Sequence, residues 1–251
     1  MQQNKGATDV AEVEPVRRIE TGKPGQRVVW HVAGSGPVLV LLHGGYGSWT
    51  HWARNIEPLA RHMRVLAPDT PGLGDSDMVD PLTIEAVAGP ICAGLEEIVG
   101  KGQRINIAGF SFGAVVAGGM LNLIGASVDR LIVIGGGGLG VKRAQMAELE
   151  SWRHLTDEAE IRAAHKRNLA LLMLHNPDAI DETAIDYQRE NTRRGRIQSR
   201  SFSGTDSLRQ ALTGFGGEVH GIWGAYDPTA RDNLADREAV LKSADPDGQF
   251  L

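Results

Sequence analysis

Residues 105–116 read Ile-Asn-Ile-Ala-Gly-Phe-Ser-Phe-Gly-Ala-Val-Val, and the fold turns on how this stretch divides. Ile105 to Phe110 is a short apolar run of the kind that forms a buried strand, and from Phe112 to Ile124 the spacing turns helical. Taken whole, residues 105–124 are apolar enough to suggest a membrane span. Asn106, Ser111, Asn122 and four glycines argue against that, as does the change of period at Ser111. The join is Gly109-Phe110-Ser111-Phe112-Gly113, a Gly-x-Ser-x-Gly pattern. A serine on a sharp strand-to-helix turn has a strained backbone that only small neighbours permit. The turn lifts the hydroxyl above the sheet edge, where the new helix aims free N–H groups. A glycine-flanked serine that simply caps a helix is the plainer alternative.

Working outward, strands are expected at Gln26 to Val32, Val38 to His43, Arg64 to Pro68, Leu131 to Ile134 and Val219 to Trp223. Helical spacing occupies Trp52 to His62, Thr83 to Val99 and Ala230 to Lys242. Strand and helix alternate, which implies an α/β fold: a mostly parallel central sheet with flanking helices. One interval breaks the rhythm, because residues 135–218 put 84 positions between two strands, far more than a crossover needs. Ile161, Ala164, Asn168, Leu169, Leu172 and Met173 recur at near-helical spacing there, and Pro177 stops the run. The expected organisation is a polar N-terminal arm over 1–25, a core over 26–138 and 213–251, and an inserted helical lid over 139–212.

At 251 residues the chain is about 1.7 typical domains long, which suits one large domain carrying an insertion. A hydrophobic fraction of 41% excludes wholesale disorder. Twenty-six Lys and Arg against 31 Asp and Glu leave a net charge of -5, offering no broad attraction for nucleic acid or an anionic membrane, so the expected partner is a small molecule. The oligomeric state is not legible. The single cysteine, Cys92, excludes an intrachain disulfide, and the N-terminus has no secretory pattern, so the expected setting is cytoplasmic.

Further signals fall at the ends of the expected strands. His43-Gly44-Gly45-Tyr46-Gly47 follows the apolar run from Val38, and such a loop can present an unobstructed backbone N–H to a developing oxyanion. Gly45, paired with the N–H of Phe112, is the candidate; a tight turn with a packed histidine is the alternative. Asp227 follows the Val219 strand and would share the sheet edge with Ser111. It also begins an Asp-Pro turn, an equally good explanation taken alone.

Together, His43-Gly44-Gly45, Asp69-Thr70-Pro71-Gly72-Leu73-Gly74-Asp75-Ser76, the serine pattern at 109–113 and Gly224-Ala225-Tyr226-Asp227 make the chain resemble the α/β-hydrolase family. These landmarks run in the family's order from about Gln26 to Lys242. The resemblance implies Ser111 as nucleophile, Asp227 as triad acid, Gly45 and Phe112 as the oxyanion hole, and a helical insertion over the pocket. Asp69 and Ser76 match the family's structural turn and carry no chemistry. One element departs from the pattern: the family's base is a histidine after the acid, and all eight histidines, at 31, 43, 51, 62, 154, 165, 175 and 220, precede Asp227. A strand is expected to begin at Gln249-Phe250-Leu251. Truncation, a noncatalytic relative and a base from elsewhere are the three explanations, and truncation with feeble activity is the expectation. His43 and His220 read as structural.

The implied activity is serine-dependent hydrolysis of small-molecule carboxylic esters through an acyl-enzyme. Hydrolysis of a carbon-carbon bond in a ketone-containing acid, and noncatalytic small-molecule binding, are the alternatives on the same fold. Gly135 to Gly140 formally matches a dinucleotide fingerprint, but helical sequence stands where the second strand of that unit should be, so the run reads as a hinge and no cofactor is expected. No metal-ligand spacing occurs. Arg193, Arg194, Arg196 and Arg200 form a basic cluster, either a solvated face or, through Arg194, a site for a substrate carboxylate.

Overall fold

A computed structural model describes residues 14–251. Seven strands form one sheet: β1 (Arg17–Thr21), β2 (Val28–Ala33), β3 (Val38–Leu42), β4 (Arg64–Pro68), β5 (Ile105–Phe110), β6 (Val128–Ile134) and β7 (Glu218–Ile222). Their order across the sheet is β1-β2-β4-β3-β5-β6-β7. β2 runs antiparallel to both neighbours, and β4, β3, β5, β6 and β7 are mutually parallel. The mostly parallel α/β architecture expected from the alternation is the one observed.

The apolar runs are continuous because both faces are covered. In β3, Val38, Val40 and Leu42 join the larger core cluster, while Leu39 and Leu41 join a second cluster on the opposite face. The larger side is closed by α2 (Ile84–Val99) and α3 (Phe112–Ile124), the smaller by α1 (Ala53–Ala60). α2 starts where Thr83 accepts the Ala86 amide on its side chain. Gln249 to Leu251 pairs in parallel with β7 through Gly221, matching the strand start read from the sequence.

Two expectations need correction. The polar arm expected over 1–25 contains β1 among its described residues; 1–13 lie outside the description. β1 forms because it adds one antiparallel edge to β2, with Ile19 opposite Trp30, and because Thr21 is buried and accepts the Trp30 indole N–H at 2.8 Å. The insertion is not helical from its start. Residues 141–157 carry no helix, and α4 (Glu158–Leu172) is followed by α5 (Glu182–Arg194), α6 (Arg200–Ser203) and α7 (Ser207–Leu212). The non-helical segment is pinned instead by Asn168 of α4, whose amide accepts the Glu150 N–H at 2.7 Å and donates to the Glu150 carbonyl at 2.9 Å. This explains a buried polar side chain on an otherwise apolar face. α7 packs on the core, with Leu208 and Leu212 in the main cluster. α8 (Leu234–Ala244) completes the fold.

Candidate active site

The carboxyl ends of β3, β5, β6 and β7 lead into Gly44, Ser111, Gly135 and the loop containing Asp227, so four loops meet at one sheet edge. Ser111 has φ 53 and ψ -111, a backbone state that side-chain-bearing residues rarely hold. It is fixed there by its own amide, which donates to Ile134 at 2.9 Å, and by its carbonyl, which accepts from Ala114 and Gly137. The flanking glycines are required by space: a Cβ on Gly113 would lie 2.2 Å from the Leu42 carbonyl oxygen, and one on Gly109 would lie 2.7 Å from the Ala114 Cα. Although Ser111 is the N-cap of α3, its hydroxyl makes no capping bond. That removes the plainer explanation of this serine, because a capping serine spends its oxygen on the first helical turn.

Ser111, Gly45 and Asp227 line one cavity of about 720 Å³. The Phe112 side chain is fully buried in the core, while its amide opens α3 directly after Ser111. No internal hydrogen bond occupies the Gly45 or Phe112 amide among the described residues. Asp227 serves its turn and remains half available: Oδ1 accepts the Thr229 amide at 2.8 Å and the Thr229 hydroxyl at 2.7 Å, and Oδ2 has no hydrogen bond among the described residues.

Two histidines belong to this wall or stand behind it. His43 is fully buried, donates from Nδ1 to the Gly44 carbonyl at 2.8 Å and accepts the Thr70 amide on Nε2 at 2.9 Å, so both ring nitrogens are committed to backbone. His51 lines the cavity, and its Nδ1 accepts the Gly44 amide at 3.3 Å. That bond places the ring proton on Nε2, which has no partner among the described residues. Burial, and secondarily the adjacent His43, hold its basicity well below the ordinary histidine range. Neither ring presents a free basic nitrogen. His220 sits in β7 at hydrogen-bond distance from Glu218.

The turn after β4 is structural. Asp69 accepts the amides of Trp49 at 2.8 Å and Asp75 at 2.9 Å, and Ser76 donates to the Asp69 carbonyl while accepting the Val29 amide.

The sequence profile of the alpha/beta hydrolase family matches residues 39–246. The chain belongs to the α/β-hydrolase family. It is 31% identical over 164 residues to pyrrolizixenacetamide deacetylase of Xenorhabdus hominickii, a match covering 64% of this chain and 59% of that protein. It is 31% identical over 129 residues to 2-hydroxy-6-oxo-6-phenylhexa-2,4-dienoate hydrolase of Burkholderia cepacia, covering 48% of this chain and 44% of that protein. Other curated relatives, from Mycobacterium, are matched over only 33% of their length, so the chain spans well under two thirds of these relatives. Among solved structures, an esterase from Rhodococcus sp. ECU1013 superposes with a TM-score of 0.73 at 20% identity, covering 95% of this chain and 90% of that one, a likeness of fold.

Within this α/β-hydrolase the basic cluster of the insertion divides. Arg194 pairs with Asp75 at 2.5 Å and with Glu190, while Arg193 pairs with Glu190 at 2.8 Å. Arg196 donates to the Ser76 carbonyl. Arg194 is thus a clasp between α5 and the turn after β4 and does not line the cavity, whereas Arg200 does. The glycine run at 135–140 has three positive-φ residues, Gly135, Gly138 and Gly140, and no helix opens after it; Gly135 to Gly138 line the cavity. Sequence reasoning missed Ser199, whose hydroxyl lies against Gly45, 1.9 Å from where a Cβ would stand. His165, which the sequence puts in the insertion without separating a solvated from a substrate-facing role, is fully buried at the cavity wall, and neither ring nitrogen is hydrogen-bonded among the described residues. Asn191 ties α5 to the loop after β3, accepting from Ser48 at 2.7 Å and donating to Thr50 at 2.9 Å. No local pattern marks these residues, because their partners are remote in sequence.

Proposed function

We propose that the chain is a serine hydrolase that cleaves small-molecule carboxylic esters through an acyl-enzyme on Ser111. The observation that carries this reading is the Ser111 hydroxyl itself, held on a strained turn, unused as a cap, and facing the same cavity as Asp227. In the proposed step Ser111 Oγ bonds to the acyl carbon, the ester C–O bond breaks, and the alcohol leaves with the serine proton. Water then cleaves the acyl-enzyme to the acid and regenerates the hydroxyl. The amides of Gly45 and Phe112 would hold the oxyanion, and the free Oδ2 of Asp227 would serve as the acid of the triad. The insertion would act as a lid, since Trp152, His165 and Ser199 share the cavity wall with the core loops.

No histidine follows Asp227 in these 251 residues, and His43 and His51 offer no basic nitrogen. The turnover proposed for these 251 residues by themselves is therefore slow, because a triad lacking one member retains only about 10³ to 10⁴-fold catalysis over water. The proposed setting is the cytoplasm, in keeping with a single buried cysteine. A second reading, hydrolysis of a carbon-carbon bond beside a ketone, is favoured by the likeness to the Burkholderia cepacia hydrolase of an oxo-dienoate.

Incubation of the 251-residue chain with an activated p-nitrophenyl ester, followed by intact-mass measurement, tests the proposal. One acyl adduct is expected, absent from Ser111→Ala. An adduct that survives this substitution, or none at all, overturns the assignment.

A further inference from the structure

Four arginines and two carboxylates line the cavity. Glu150 is paired with Arg167 outside the wall, and Arg153 lies over the Trp152 ring and donates to the Thr192 carbonyl at 3.2 Å. Arg143, Arg200 and Arg237 are different. None has a carboxylate within 4.0 Å among the described residues, although most of the other arginines of the insertion are in ion pairs. Arg237 is only 3% exposed, yet among the described residues its side chain makes a sole hydrogen bond, from Nη2 to the Thr229 carbonyl at 3.1 Å, and its buried Nε has no partner there. The side chains of Arg143 and Arg200 make no hydrogen bond among the described residues.

The backbone around these groups is built to hold them. The Ala144 amide donates to the same Thr229 carbonyl at 3.0 Å, and Asn233 at the start of α8 donates to the Lys142 carbonyl at 2.8 Å. Arg143 is therefore clamped on both sides in the main chain while its guanidinium is left free. Arg143 feels the positive charge of Arg200, Arg237 feels that of Arg143, and both feel Asp227, so the four groups share one neighbourhood. Asp227 is the one carboxylate that acts on both Arg143 and Arg237, with Asp236 acting on Arg237 as well, so three guanidinium groups outnumber the carboxylates around them. A buried guanidinium without a counter-ion is costly, and the cost falls when an anion occupies the gap.

We propose that Arg143, Arg200 and Arg237 form a subsite for a carboxylate on the substrate, remote from the acyl carbon that Ser111 attacks. The substrates of the site are then half-esters or oxo acids rather than neutral esters. A guanidinium presents paired N–H groups in the plane that a carboxylate matches, and the three together supply the excess positive charge that Asp227 and Asp236 leave unbalanced. This proposal rests on the hydrolase reading for its orientation, but its test reads binding and not turnover.

Isothermal titration of the Ser111→Ala chain with monomethyl adipate and with dimethyl adipate compares two ligands that differ in one negative charge. The monoester is expected to bind at least about tenfold tighter, with the advantage shrinking as salt is raised. Arg143→Gln and Arg200→Gln, both at exposed positions whose side chains have no hydrogen-bond or ion-pair partner among the described residues, are expected to weaken the monoester by about fivefold or more each and to leave the diester unchanged. Equal binding of the two ligands, binding of neither, or a monoester advantage that survives in the double variant overturns the subsite. A Ser111 acyl adduct without carboxylate preference removes this proposal and leaves the hydrolase reading standing; a preference without an adduct does the reverse.

Discussion

His43 and Thr70 are joined through the sheet edge: the imidazole Nε2 accepts the Thr70 amide at 2.9 Å, and Nδ1 spends its proton on the adjacent Gly44 carbonyl at 2.8 Å. With both nitrogens committed and the ring fully buried, a second proton has nowhere to go, and burial pushes the group from 6.5 down to about 4.

Stability should therefore depend on mildly acidic pH. Between about 4 and 6.5 the unfolded chain binds a proton that folded His43 refuses, so stability is full above the unfolded value and declines as pH falls through this window. The loss from His43 alone is about 2 kcal/mol by pH 5, and His51, shifted the same way, adds to it. Urea unfolding at pH 7.5 and pH 5 is expected to show a lower midpoint at pH 5; equal midpoints would contradict the buried, neutral ring.

Two glycines should respond to alanine in opposite directions. Gly113→Ala puts a Cβ 2.2 Å from the Leu42 carbonyl and should cost on the order of 2–4 kcal/mol. Gly89 lies inside α2 with nothing within 4 Å of its Cβ position, so Gly89→Ala should stabilise by about 0.5–1 kcal/mol. Thermal unfolding of the pair checks both signs, and a Gly113→Ala chain as stable as the parent would mean that α3 packs less closely on β3 than described.

Cys92 should be inert in the folded chain. It is 6% exposed on the inner face of α2, and burial, followed by the nearby Glu96, pushes its thiol up to about 12. Iodoacetamide at pH 8 is expected to modify it only under unfolding conditions. Rapid modification of the native chain would refute the buried placement.

Much of the architecture was legible because the core strands are covered on both faces, which turns burial into uninterrupted apolar runs such as Val38 to Leu42. The bounds of β4, β5 and α3 coincide with the sequence reading, since Pro68, Phe110 and Ser111 sit at changes of pattern. β1 was not legible: in Arg-Arg-Ile-Glu-Thr only Ile19 and Thr21 turn inward, too few to register as alternation against the charges around them. The insertion misled in another way. Residues 141–157 hold their place through Asn168 and not through a helical face, and the role of Arg194 depends on Asp75, 119 positions away. The candidate site divides similarly. Ser111, Gly45 and Asp227 belong to short motifs, whereas Ser199, His165 and the gathering of Arg143 with Arg237 arise only from tertiary folding.

The contorted backbone at Ser111 means that this protein is not as durable as its architecture allows. A glycine at that position would relax the φ of 53 without loss of any hydrogen bond among the described residues, because the side chain takes part in none there. The molecule is thus carrying a deliberate weakness at its centre, and a lineage selected for robustness alone would discard the hydroxyl first.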